Sequence, residues 1–199
     1  MVVKGVARHM SKSIILCGVG GQGTILASRL IASACMNRDL PILTAETIGM
    51  AQRGGSVFSH VRIGEGANSP MIAKGQADLI IAFEPGEAVR QLPFLREGGA
   101  VVVSRRPVMP VSAMIGKTSY DGEAMIQYLQ NHVKHLTVVD ADKAAEELKS
   151  TKTLNVVLLG AAIRSGELGL SEEDLEKAIR QRVPEKLWEL NLKSLKYGS

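Results

Sequence analysis

Ser13-Ile14-Ile15-Leu16-Cys17-Gly18-Val19-Gly20-Gly21-Gln22-Gly23 is the stretch that decides the fold. Ser13 to Cys17 is short and largely apolar, as a strand buried on both faces of a parallel sheet must be. Glycines follow at once. From about Gln22 to Asn37 the apolar residues then recur at helical spacing, with Leu26, Leu30 and Ala34 in one row and Ala27, Ile31 and Cys35 in the next. Pro41 to Ala45 reads as the second strand. Strand, glycine turn, helix and strand together open a Rossmann-like fold.

Working outward, Ser56 to Ile63 roughly alternates apolar and polar residues, which predicts a half-exposed strand. Gly64-Glu65-Gly66 is a turn, and Asp78 to Phe83 is another buried strand. Glu84-Pro85 opens a helix expected to run to about Leu95, with proline in the first turn, where no N–H is needed. Gly98-Gly99 is expected to close it, ahead of a strand from Ala100 to Val103. Arg105 to Tyr120 is irregular and holds two prolines. A helix over about Gly122–Asn131 and a strand near Leu136–Val139 follow. The rest is helical: Asp142–Leu148; the nearly all-apolar Thr153–Ser165, which must be buried; a helix to Arg182; and a last one from Pro184 to near Tyr197. Ser171-Glu172-Glu173-Asp174 is a capping box with Asp in the place of Glu or Gln. The expected fold class is α/β: a Rossmann-like, mostly parallel sheet flanked by helices, with a helical C-terminal third. Residues 1–11 read as a flexible tail or an expression remnant, and 12–199 as a single domain.

The 199 residues suit one domain. The composition is 45% apolar and 22% charged, which is ordinary for a globular protein. With three Phe, three Tyr and one Trp, the chain lacks the aromatic platforms of single-strand nucleic-acid binders. The net charge of +4 is scattered, which reads as a solvated surface and not as a nucleic-acid footprint. No apolar run approaches the ~20 residues of a membrane span, and Met1 to Met10 has no signal-like apolar core, so a cytoplasmic location is expected. Cys17 and Cys35 fit no metal or cluster spacing. They read as buried, reduced thiols, with a disulfide between them left open.

Gly18-Val19-Gly20-Gly21-Gln22-Gly23 is a formal GxGxxG between a strand and a helix. Glycine permits the tight turn and lets a phosphate approach the helix N-terminus, where unpaired N–H groups and the dipole favour anions. Gly18, Gly20, Gly21, Gln22 and Gly23 are therefore candidate cofactor-binding residues. Glu46, at the end of the second strand, is placed as the ribose-binding acid of an NAD enzyme would be. Two features weigh against NAD. The loop is unusually glycine-rich, with Gln22 in a position to point into the site and not into the sheet. And no acid–base set stands out: His9, His60, His132 and His135 read as structural or solvated. Tyr120 and Lys117, in the irregular loop, are the only other candidates, so no catalytic residue is assigned. A tight turn without a ligand is the plain alternative.

The loop from Glu46 to Ser56 adds an acid, a glutamine and an arginine among glycines. By the topology of parallel sheets it faces the same crevice. Arg53 suits a phosphate, a carboxylate of a partner subunit, or an intradomain ion pair with Glu46 or Glu84. Gly54 joins the candidate set beside it.

The two loops together resemble the gamma subunit, or gamma domain, of 2-oxoacid:ferredoxin oxidoreductases. The likeness runs through Gly18–Gly23, Ala45–Gly64, Ala77–Ala88, the Gly98-Gly99 turn, Arg106-Pro107, Pro110, Thr153–Ala161 and Val183-Pro184, and so covers nearly everything from Lys12 to Gly198. The Phe83-Glu84-Pro85 and Asn155–Ala161 segments are most similar to the free-standing beta subunit of indolepyruvate:ferredoxin oxidoreductase. The resemblance implies an enzyme that oxidatively decarboxylates a 2-oxoacid, forms an acyl-CoA and passes electrons to ferredoxin. It implies thiamine diphosphate, Mg2+ and 4Fe-4S clusters in larger partner subunits. It also implies coenzyme A near this domain, with Gly20, Gly21, Gln22, Gly23 and Arg53 carried over as site positions. The chain is then a subunit that supports assembly and is inactive alone, a homodimer when isolated. An independent NAD- or nucleotide-binding oxidoreductase, or a sensor module, is the rival.

Overall fold

The computed structural model describes residues 11–46, 55–66, 68–109, 114, 116 and 119–198. The apolar first strand, β1 (Lys12–Val19), is covered on both faces and takes an interior place in the sheet. The other strands are β2 (Ile42–Glu46), β3 (Ser56–Ile63), β4 (Ala77–Ala82), β5 (Leu95–Ser104) and β6 (His135–Val139). Their order is β2-β3-β1-β4-β5-β6. β1, β4, β5 and β6 pair in parallel, from Ile14 opposite Leu79 to Cys17 opposite Ala82 at the centre. β3 runs antiparallel to both β2 and β1.

The α/β class and the Rossmann-like character are as expected, but the opening unit differs in one respect. β2 is not the neighbour of β1, because β3 lies between them. A short connection returns the chain from β2 as an antiparallel partner, and that partner fills the place beside β1. β3 is accordingly buried and not half-exposed, with Ser59 and His60 inside. The His60 Nδ1 accepts the Ile72 N–H at 3.1 Å, and Phe58 and Phe94 meet its ring edge-on.

The strand period of two divides the core. Ile14, Leu16, Leu79, Ile81 and Val102 face one helical layer. It holds α1 (Thr24–Met36) and the C-terminal helices α4 (Ala141–Leu148), α5 (Leu154–Arg164), α6 (Glu172–Arg182) and α7 (Trp188–Leu195). Ile15, Cys17, Ile80, Val101 and Val103 face α2 (Pro85–Gln91) and α3 (Gly122–His132). The capping box of α6 is complete: Ser171 Oγ accepts the Asp174 N–H at 3.2 Å, and Asp174 Oδ2 accepts the Ser171 N–H at 2.9 Å. Cys17 and Cys35 are buried and unbridged.

Three expected boundaries move. α2 stops at Gln91, and Leu92–Phe94 is a 3-10 turn, because Pro93 has no N–H to continue the helix. β5 then begins at Leu95, so Gly98-Gly99 lies inside the strand instead of closing the helix. Gly98 has φ +70° where the register against Ala77 and Leu79 shifts, the mark of a bulge. The last helix starts at Trp188, after a 3-10 turn over Glu185–Leu187. Of the expected tail 1–11, only Ser11 is among the described residues. No helix among the described residues is long and apolar enough to cross a membrane.

α5 is apolar on nearly every side and is buried between the sheet and α7. The two helices touch at Gly160, where a Cβ would stand 2.0 Å from the Leu195 carbonyl oxygen. Gly160→Ala is expected to destabilise the fold by about 2–3 kcal/mol through forced separation of these helices, measured by urea unfolding. Burial also holds the His60 imidazole below its ordinary pKa. In the unfolded chain histidine titrates near ~6.5. Stability is therefore full above that pH and falls as pH drops through it, because only the unfolded state takes up the proton readily. His60→Gln keeps an acceptor for Ile72, and its melting temperature should fall less than that of the wild type between pH 7.5 and 5.5.

Candidate functional site

The carboxyl edge of the sheet is shaped by the glycine turn. A Cβ on Gly18 would meet Gln22 Oε1 at 2.7 Å and Phe83 Cβ at 2.8 Å, so only glycine lets the ends of β1 and β4 approach this closely. Gly21 and Gly23 have φ +102° and +86°, a backbone region that glycine favours. The Gly20 N–H donates to the Gly55 carbonyl at 2.8 Å, which ties the residue before β3 to the turn.

Gln22 does not point into the crevice as expected. Its Oε1 accepts the Val19 N–H at 2.7 Å and its Nε2 donates to the Phe83 carbonyl at 3.0 Å. The side chain folds back and staples β1 to β4. Gly23 is the N-cap residue of α1. It has no side chain to cap with, and no acidic residue lies in the first turn. The helix N-terminus is thus left open to an external anion.

A cleft of about 720 Å3 opens in front of that N-terminus. One wall is Gly21 to Gly23. The second is Arg106 to Met109, leaving β5. The third is Thr151 to Asn155, leading into α5. Among the described residues no carboxylate lines it. Arg106 makes a surface ion pair with Asp142 at 3.5 Å. Lys152 has no ion-pair partner among the described residues. Asn155 is only 4% exposed. Its Oδ1 accepts the Val156 N–H at 3.0 Å, and its Nδ2 donates to no protein acceptor among the described residues. That amide faces the turn: a Cβ on Gly23 would lie 3.0 Å from it. Backbone N–H groups, the Asn155 amide, a guanidinium and an ammonium line this cleft, a donor set for a phosphate-class anion. None of them is placed to act as a general base.

Glu46 stays apart from this cleft. It lies at the end of β2, two strands from β1, and its Oε1 accepts from Ser28 Oγ at 2.7 Å. With β3 interposed, it does not stand where an acid on the adjacent strand would hold a ribose. Arg53, Gly54 and Lys117 lie outside the described residues. Tyr120 is no free base: its hydroxyl donates to Glu84, and burial followed by that bond keeps its pKa well above the ordinary value. Sequence reasoning missed Asn155, Arg106 and Lys152. The one local sign of them was a polar Asn in the first turn of an otherwise apolar helix.

The family described as pyruvate ferredoxin/flavodoxin oxidoreductase matches residues 13–199. A protein of Archaeoglobus fulgidus named indolepyruvate oxidoreductase subunit IorB is 40% identical over 190 residues, covering 95% of this chain and 94% of that one. Its namesake in Thermococcus kodakarensis is 35% identical over 188 residues, covering 94% and 93%. The solved keto/oxoacid ferredoxin oxidoreductase gamma subunit of Geobacter sulfurreducens PCA matches with TM-score 0.66 at 26% identity, over 92% of this chain and 94% of that one.

The glycines of the turn are expected to separate by role. Gly18→Ala must displace both Gln22 and Phe83, and should cost about 2–3 kcal/mol. Gly21→Ala meets nothing within 4 Å and should cost only the backbone strain, about 1–2 kcal/mol. Equal losses in denaturant titrations would show that the close approach at Gly18 is not what fixes the turn.

Proposed function

The chain belongs to the pyruvate ferredoxin/flavodoxin oxidoreductase family, and from that premise we propose that it is the small subunit of an indolepyruvate:ferredoxin oxidoreductase whose cleft holds the phosphate end of coenzyme A. Full-length relatives at 35–40% identity carry the indolepyruvate name, against 26% for the keto/oxoacid gamma subunit, which supports that substrate. In the overall reaction the bond between carboxylate and carbonyl carbon breaks and CO2 leaves. The acyl carbon bonds to the coenzyme sulfur, the thiol proton is released, and the electron pair passes one electron at a time to ferredoxin. Thiamine diphosphate with Mg2+ supplies the carbanion chemistry, and 4Fe-4S clusters carry the electrons. We assign these groups to larger partner subunits. Among the described residues of this chain no group of three or more His, Cys, Asp or Glu could hold a metal ion.

The observation that supports the coenzyme A reading is the Asn155 Nδ2 beside Gly23 at the open N-terminus of α1, in a cleft that Arg106 and Lys152 also line. These groups bind and orient; bond making belongs to the assembled enzyme, and the isolated subunit is expected to self-associate. Arg53 and Gly54 remain in the proposed site on sequence grounds. A free-standing NAD-dependent enzyme or nucleotide sensor fits less well, because β3 separates β1 from β2 and Glu46 is engaged by Ser28.

The test is kinetics of the reconstituted complex, with a viologen dye as acceptor. Asn155→Asp replaces a donor by an acid and should raise KM for coenzyme A about tenfold or more. Arg106→Ala with Lys152→Ala should do the same and flatten the salt dependence of that KM. Unchanged coenzyme A kinetics in both would remove the cleft from the site. A better turnover with another 2-oxoacid than with indolepyruvate would overturn the substrate assignment.

A further inference from the structure

The irregular segment between β5 and α3 supplies one wall of the cleft, and its two ends are gripped at one place. At its base a Cβ on Gly122 would stand 2.7 Å from Pro107 Cβ, so the outgoing and returning chains touch. Arg105 closes the same base from outside through Glu123 at 2.6 Å and 3.1 Å. Behind them lies Glu84, which is 2% exposed. Its Oε1 accepts the Val108 N–H at 3.4 Å from the outgoing end and the Tyr120 hydroxyl from the returning end. Its Oε2 accepts the Glu87 N–H at 2.9 Å and so caps α2. The Tyr120 ring is seated over Gly86: a Cβ there would meet ring Cε2 and the hydroxyl oxygen at 3.0 Å. The Gly86 N–H donates to that oxygen at 3.2 Å.

We propose that Glu84 is a positioning residue for the cleft: its buried carboxylate clasps Val108 and Tyr120, fixes the Arg106–Met109 wall opposite the glycine turn, and thereby sets affinity for the phosphate-bearing ligand. The proposal rests on the coenzyme A reading above. A buried carboxylate serves this purpose because it can accept from three donors at once and because loss of one partner leaves an uncompensated group. Burial, with the Glu84 bond next, moves the Tyr120 pKa further above its ordinary value, so it is a hydroxyl donor at neutral pH. The neighbouring Glu87 is a separate group: burial raises its pKa, and Ser56 Oγ donates to it at 2.5 Å.

Tyr120→Phe removes the hydroxyl and keeps the ring on Gly86. Glu84→Gln keeps one acceptor oxygen and puts an amide donor where the other acceptor is needed. In the reconstituted complex, KM for coenzyme A is expected to rise about threefold in Tyr120→Phe and about tenfold in Glu84→Gln. Turnover at saturating coenzyme A and KM for the 2-oxoacid should stay within about twofold of wild type. If Glu84→Gln fails to assemble, Tyr120→Phe decides alone. Coenzyme A kinetics unchanged here, but weakened by Arg106→Ala with Lys152→Ala, would overturn the clasp and leave the cleft reading standing. Unchanged kinetics in every variant would remove the cleft reading and the clasp with it. A uniform loss of turnover and of both substrates' KM values, in step with a lowered melting temperature, would reduce Glu84 to a stabilising role and overturn the proposal as well.

Discussion

Two hydrogen bonds from one carboxamide shape the working edge of this protein. Gln22 accepts from Val19 and donates to Phe83, so the turn after β1 is pressed against the end of β4. The room for that side chain exists only because Gly18 has none. Once the turn is fixed there, α1 starts with its first N–H groups facing outward, and the buried face of α5 brings Asn155 opposite them. The donor-rich character of the cleft is a consequence of backbone held in place by packing, with surface cations added around it.

The arrangement also separates charge by sign. The cleft presents donors and cations, while Glu84 and Glu87 sit behind it, buried and engaged by their own donors. Burial first, and those carboxylates next, push the Cys17 thiol well above its ordinary pKa. Cys17 is therefore a packing residue under the sheet edge and not a nucleophile at neutral pH. Cys35, raised to about 12 mainly by burial, is equally inert.

Local patterns made most of the elements legible. The apolar run of β1, the row of Leu30 and Ala34, the all-apolar α5 and the Ser171 box each state their own structure, because burial of a short segment depends on its own residues. The insertion of β3 between β1 and β2 was not legible, since strand order is decided by long-range pairing. Gly98-Gly99 looked like a helix stop because a glycine pair has the same sequence appearance in a cap and in a bulge. The glycine turn announced an anion site, but its other half did not. Lys152 precedes α5, Asn155 lies in its first turn, Arg106 follows β5, and only the fold brings them together. Gln22 was misread for a related reason: a polar side chain beside a site has no sequence signal for which way it turns.

β3's position between β1 and β2 bears on the order of events during synthesis. β1 emerges first, but one of its neighbours is β3 and the other is β4, so it cannot be enclosed until both have been made. The Gly20 contact waits for Gly55, and the cleft waits for Asn155, which belongs to the C-terminal third. Long-range pairings of this kind close late. A nascent chain that has produced only the glycine turn therefore has no cleft, and a ligand held there as proposed can reward only the finished fold.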